Sequence, residues 1–330
     1  MKKLLSLFFS ALILALLYWR IDFVHLTAIV KGSDISWLTV SLLMNIPLVL
    51  ATSWRLRELM PVNAKIRMAE ANRLILMASV LNMVLPSKMG DVAKAYFMTE
   101  RGHMKGSLSL ALVIFEKSCD MLSLLLWCAG ALLFFPDKSP LFWMITIAIA
   151  GSFVFGATAL CSGRFARLFF IVGSWITPGR FKGKLDSLRS SWEEMQRYFW
   201  QDKGRFLVIS GGSVFIWFLH LLQIWFFILT LNSSVPFRAN LALSPLAILA
   251  GLVPLTFAGV GTRDAAIVML YRPYMDAATA LALGALCTSR YLVPALMGLP
   301  FLNEYWQKPF LKGKGPLAQG TAPRESRNVD

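Results

Sequence analysis

The 330-residue chain is 57% hydrophobic and 15% charged, with a formal net charge of +15. Soluble domains carry about 25% charged and roughly 45–50% apolar residues, so a soluble fold with a polar surface is excluded. Lys and Arg flank apolar runs and form no separate basic block; they read as topology signals and lipid-surface contacts, not as a nucleic-acid domain.

Lys2 and Lys3 precede an apolar run from Leu4 to Trp19 with no A-x-A-like cleavage site after it. A first membrane helix over 4–20 is therefore expected, rather than a signal peptide. Five more continuous spans are expected at about 35–53, 107–134, 141–161, 206–231 and 277–303. Each approaches the roughly 20 residues that cross a hydrocarbon core of about 30 Å. Two further segments, 68–99 and 239–272, are apolar but interrupted by Pro, Gly and charge. The expected fold is thus an all-α polytopic membrane protein with six full spans and two broken re-entrant helical hairpins.

Between the spans, the connector 162–205 holds Leu185, Leu188, Trp192, Met195 and Phe199 at helical spacing among charged residues. It reads as a cytoplasmic, interfacial amphipathic helix, with docking of a cytoplasmic partner as the alternative. Trp37, Trp54 and Trp306 near span ends read as interface anchors. The transmembrane domain is expected over 1–306, and the Gly-, Pro- and Lys-rich tail 307–330 reads as a disordered cytoplasmic extension.

Orientation follows from the basic residues. Of 33 Lys and Arg, five (Arg20, Lys31, Lys138, Arg238, Arg272) fall on the outer side and five (Lys88, Lys94, Lys117, Arg263, Arg290) in or near the membrane, leaving 23 inside. Both termini are then cytoplasmic, in a bacterial inner or plasma membrane. Full crossing by both broken segments would also keep the termini inside, but would put the basic stretch from Arg164 to Arg205 outside.

The broken segments read L-P-S-K-M-G-D from Leu85 and P-L-T-F-A-G-V-G-T-R-D from Pro254. Adding 173 to Asp91 gives Asp264, and the same offset carries Lys117 onto Arg290 and 35–53 onto 208–226. Two repeats, about 35–161 and 206–303, follow with opposite topology, and interrupted helices at matching positions point to a midplane binding site. The alternative is coincidence between Pro/Gly breaks. Each break frees backbone groups that must be buried in protein or line a wet cavity. Asp91 and Asp264 stand where short helices begin, as helix caps or as part of a binding site.

Glu116, Lys117 and Asp120 fall near the middle of their span, and Arg290 lies about 13 residues into the last one. An unpaired charge at a helix centre costs about 2.5–3.5 kcal/mol on insertion scales, so these side chains need partners or water. Arg290 is placed to pair with Glu116 or Asp120. One reading is a salt-bridge network joining the halves; the other is a cationic locus of Lys117 and Arg290 for an anionic headgroup. His25 and His103 fall in connectors, and His220 inside a span reads as a satisfied interhelical donor. Cys119, Cys128, Cys161 and Cys287 lack paired spacing, so neither a metal site nor a disulfide is expected.

At L-P-S-K-M-G-D, F-E-K-S-C-D and A-G-V-G-T-R-D the chain resembles the flippase-like family that includes the transmembrane region of lysylphosphatidylglycerol synthases. The resemblance covers about 4–303. That family's pattern is P-S-x-x-G-E, E-R-x-x-D and G-x-G-x-x-E. Here Asp91 and Asp264 stand where Glu is usual, and Lys117 where Arg is usual, which removes the planar fork used in bidentate phosphate recognition. The full synthases add a soluble aminoacyl-transfer domain, whereas this sequence ends about 27 residues past the last expected span. Lipid aminoacylation is therefore expected only with a partner.

The function expected is a lipid translocase for an anionic or modified headgroup. It carries no Walker A pattern and no cofactor is implied. Candidate substrate-binding residues are Lys88, Asp91, Glu116, Lys117, Asp120, Arg263, Asp264 and Arg290. Partners would be membrane lipids and a lipid-synthesis enzyme, with no nucleic acid. The alternatives are a membrane transferase acting on a lipid-linked substrate, or an accessory subunit of an envelope-lipid synthesis complex.

Overall fold

A computed structural model describes residues 32–84, 90–102, 104–133, 140–176, 179–252 and 261–306. The expected span 4–20, His25, Lys88, His103 and the tail 307–330 lie outside the described residues, as do the two interruptions at 85–89 and 253–260. The described residues are mostly helical, with turns between the helices and no strand among them.

Asp34 begins the first described helix, α1 (Ile35–Leu43), by accepting the Ser36 and Trp37 amides at 2.8 and 3.3 Å. Such a cap satisfies donors that a helix start leaves unpaired. Helix α2 (Asn45–Leu59) continues it, with Pro47 in its first turn, where a missing N–H is tolerated best. Then come α3 (Met68–Val84) and α4 (Gly90–Gly102), on either side of the first interruption. Helices α5 (Gly106–Leu133) and α6 (Pro140–Cys161) follow. The connector forms α7 (Gly163–Ile176) and α8 (Gly179–Gln201). The second half holds α9 (Lys203–Thr230), α10 (Phe237–Gly251), α11 (Thr262–Tyr271) and α12 (Ala277–Trp306).

Among the described residues, four stretches are long and apolar enough to cross a membrane: Ile35–Leu59, Phe142–Cys161, Lys203–Thr230 and Ala277–Leu302. Helix α5, with 28 residues, has the length, about 42 Å at 1.5 Å per residue, but carries Glu116, Lys117 and Asp120 at its centre.

Helix α3 packs along α12, and α10 packs along α5. Within each half, α3 rests on α4 and α10 on α11, while α4 meets α5 and α11 meets α12. The α3–α12 contact is close because Gly298 lies against the Leu76 backbone carbonyl, where any Cβ would collide. Small residues permit this approach between apolar helices, for which contact packing substitutes for the hydrophobic effect.

The apolar stripe of the connector packs inward, with Trp192, Met195 and Phe199 buried against α5. Phe199 is 1% exposed and stacks on Phe115 with ring centroids 4.8 Å apart. The stripe found apolar partners on α5, and burying aromatic rings there removes a large area from water. Exposed apolar side chains fall instead on α7, at Leu168, Phe169, Val172 and Trp175.

Candidate functional site

Two charged clusters lie inside the helical body. The first is built by α2, α4, α5 and α9. Glu116 and Asp120, one turn apart on α5, face the same way, as i and i+4 positions do. Arg55 on α2 reaches both: its Nη2 lies 3.1 Å from Glu116 Oε1, and its Nη1 donates to Asp120 Oδ1. The same Nη1 donates to Ser213 Oγ on α9 at 2.9 Å. Lys94 Nζ donates to Glu116 Oε2 at 2.5 Å and stands 3.9 Å from Asp91.

Lys117 closes this cluster. Its Nζ lies 3.2 Å from Asp91 Oδ2 and 3.9 Å from Asp120 Oδ2. Arg55, Lys94 and Glu116 are buried, yet the Lys117 side chain remains 46% exposed. Around it, Ile114 and Met121 on α5 and Val92 on α4 are exposed apolar side chains. A cation is therefore presented at the surface with apolar side chains beside it and its carboxylate partners mostly buried. Three cations face three carboxylates here, which offsets the cost of burying each alone.

The second cluster joins α11 to α12. Arg263 donates from Nε and Nη2 to Asp264 Oδ1 at 3.0 and 2.8 Å, and from Nη2 to the Gly284 carbonyl at 2.8 Å and Thr288 Oγ1 at 3.0 Å. Asp264 Oδ2 accepts the Gly261 amide at 3.0 Å. The carboxylate therefore caps α11 and holds Arg263 at once. Gly261 has φ 102°, a conformation glycine adopts readily. A Cβ at Gly284 would lie 2.6 Å from Asp264 Oδ1, so a bare backbone is needed there.

Arg290 behaves differently from expectation. It is 8% exposed, and no carboxylate lies within 4 Å of it among the described residues. Arg55 occupies Glu116 and Asp120 in its place. Arg55 and Arg57 sit two residues apart at the end of one helix, and nothing local separates them. Only packing buries Arg55 while Arg57 Nε turns to the Ile66 carbonyl at 2.9 Å. His220 Nδ1 is buried without a hydrogen-bond partner among the described residues.

Of the expected residues, Asp91, Glu116, Lys117 and Asp120 come together in the first cluster, and Arg263 with Asp264 forms the second. Arg290 joins neither by a salt bridge. Sequence reasoning missed Arg55, Lys94 and Ser213. A signal for Lys94 existed, one helical turn after Asp91; none existed for Ser213, 158 residues from Arg55.

No curated protein matches the chain closely. The family described as lysylphosphatidylglycerol synthase TM region matches residues 3–298, nearly all of the sequence. That match carries membrane association and a link to lipid handling. The chain belongs to the lysylphosphatidylglycerol synthase TM-region family.

Proposed function

We propose that the chain is a lipid translocase, not driven by ATP, that passes an anionic or modified headgroup between two inverted halves while the acyl chains stay in the bilayer. The observation that carries this reading is Lys117, half-exposed among apolar neighbours yet tied into a buried ion-pair cluster. A half-exposed cation at the edge of an ion-pair cluster, with apolar side chains beside it, complements an amphiphile: an anionic head for Nζ, and chains for Ile114 and Met121.

An inverted repeat with six spans, two re-entrant hairpins and cytoplasmic termini in a bacterial inner membrane goes with this proposal. Adding 173 to the bounds of α5, Gly106–Leu133, gives 279–306, against Ala277–Trp306 for α12. The same shift takes α4, Gly90–Gly102, to 263–275, against Thr262–Tyr271 for α11. Helix packing supports the exchange: α3 on α12 becomes α10 on α5 when each element is replaced by its counterpart. A pseudo-two-fold relation of this kind suits alternating access about a site between the halves.

The test is translocation of fluorescent lipids in proteoliposomes holding wild type or Lys117→Ala, across anionic, zwitterionic and aminoacylated headgroups. Movement that depends on Lys117 supports the proposal. Folded wild-type protein that moves no headgroup overturns it and leaves the transferase or accessory-subunit readings.

A further inference from the structure

The charge inventory is uneven. In the first cluster three cations, Arg55, Lys94 and Lys117, meet three carboxylates, Asp91, Glu116 and Asp120. In the second, Arg263 meets Asp264. Arg290 remains over, buried and without a carboxylate partner among the described residues. Among the described residues, five cations against four carboxylates leave one positive charge uncompensated inside the apolar body, where an isolated charge is least tolerated.

Part of the unmet hydrogen-bonding capacity lies on Arg290 and on side chains of the helices packed around it, and part lies elsewhere, at Arg55 Nε and Trp192 Nε1 among others. Arg290 Nε, Arg263 Nη1 and His220 Nδ1 are all buried with no partner among the described residues. Cys287, one turn before Arg290, offers it a side-chain hydrogen-bond acceptor, but a neutral thiol supplies no compensating charge. His220 lies on α9, which packs against α12 and supplies Ser213 to the first cluster, and Arg263 of the second reaches α12 at Gly284 and Thr288, within two turns of Arg290. Buried polar groups are nearly always paired in native proteins, so a buried guanidinium Nε left unpaired on the surplus charge points to a missing acceptor.

We propose that Arg290, together with His220 on the neighbouring α9, binds a phosphodiester of one net negative charge, and that this site discriminates against zwitterionic and cationic headgroups. A monoanion brings the set to neutrality. A zwitterion leaves one positive charge, and a lysyl phosphodiester, itself net positive, leaves two. Phosphate oxygens accept from Arg290 Nε and, in its Nδ1-protonated tautomer, from His220. The inference rests on the lipid-handling reading above but concerns which headgroup binds, not whether it moves.

Full-length protein in detergent is titrated with short-chain phosphatidylglycerol, phosphatidylcholine and lysylphosphatidylglycerol, and with dimethyl phosphate as a chain-free phosphodiester. Thermal midpoint and tryptophan fluorescence are read, Trp217 lying 5.6 Å from the His220 ring. Phosphatidylglycerol should bind on the order of tenfold tighter than the other two lipids. Arg290→Gln should abolish that preference, and Arg290→Lys should keep it. The Arg290→Gln protein without ligand should also melt no lower than wild type, since an unpaired buried cation has been removed. Binding of dimethyl phosphate alongside the lipid supports recognition of the phosphodiester alone; binding of the lipid only supports a site that also needs chains. Equal or tighter binding of the lysyl lipid, a preference unchanged in Arg290→Gln, or a large fall in that variant's ligand-free midpoint overturns the inference. Because no movement is measured, a preference without translocation sinks the transport proposal alone, and translocation blind to headgroup charge sinks this one alone.

Discussion

Glu116 is held from both sides by residues on different helices: Arg55 Nη2 reaches its Oε1 at 3.1 Å, and Lys94 Nζ reaches its Oε2 at 2.5 Å. One carboxylate on α5 thus fixes α2 and α4 together, in surroundings where neither cation can be hydrated. Loss of that carboxylate leaves two buried cations facing only Asp120 and Asp91.

Glu116→Gln is expected to destabilise the protein by about 3–5 kcal/mol, the usual consequence of removing one member of a buried pair. The check is thermal unfolding in detergent. An unchanged midpoint would mean that water or lipid already compensates Arg55 and Lys94.

Lys117 should behave otherwise, because its side chain is 46% exposed and its ion pairs are partly open to the surroundings. Lys117→Ala should leave the midpoint close to wild type while lowering headgroup-dependent translocation on the order of tenfold, equivalent to one charge-assisted hydrogen bond. Lys117→Arg, which keeps the charge, should retain most of the movement. Equal loss in both variants would assign Lys117 a packing role.

Phe199→Ala on α8 should cost about 3–5 kcal/mol, as expected for emptying a fully buried aromatic position. Its stacking on Phe115 ties α8 to the helix that carries Glu116 and Lys117. An interfacial α8 would predict almost no change in the unfolding midpoint but weaker binding to anionic vesicles, so the two measurements separate the possibilities.

Asp276 begins α12 from the loop side, accepting Thr279 N at 2.8 Å and Thr279 Oγ1 at 3.0 Å. These hydrogen bonds favour its charged form and hold its pKa below the ordinary carboxylate value of 3.8. Since the folded-state value is lowered, the stabilisation is present above the unfolded value and is lost as pH falls through the folded one. Asp276→Asn should reduce the acid dependence of the unfolding midpoint below about pH 4 and change it little at neutrality. An unaltered acid profile would show that the cap does not persist in solution.

The sequence by itself determined the elements governed by local periodicity and hydropathy. It places spans at 107–134, 141–161, 206–231 and 277–303, and the helices run Gly106–Leu133, Pro140–Cys161, Lys203–Thr230 and Ala277–Trp306. The charged centre of α5 was equally legible, because Glu116, Lys117 and Asp120 stand out against an apolar run. Tertiary structure alone decided which cation meets which carboxylate. Arg55 and Arg57 share a helix end and a chemistry, yet Arg55 is directed to residues 61 and 65 positions away and Arg57 to a carbonyl nine away. The amphipathic stripe of α8 is the same case. Periodicity shows that Trp192, Met195 and Phe199 share a face, but whether that face meets lipid or Phe115 depends on how α5 and α8 pack. Pairing energy between distant side chains exists only once the helices meet, so no local feature of the chain records it.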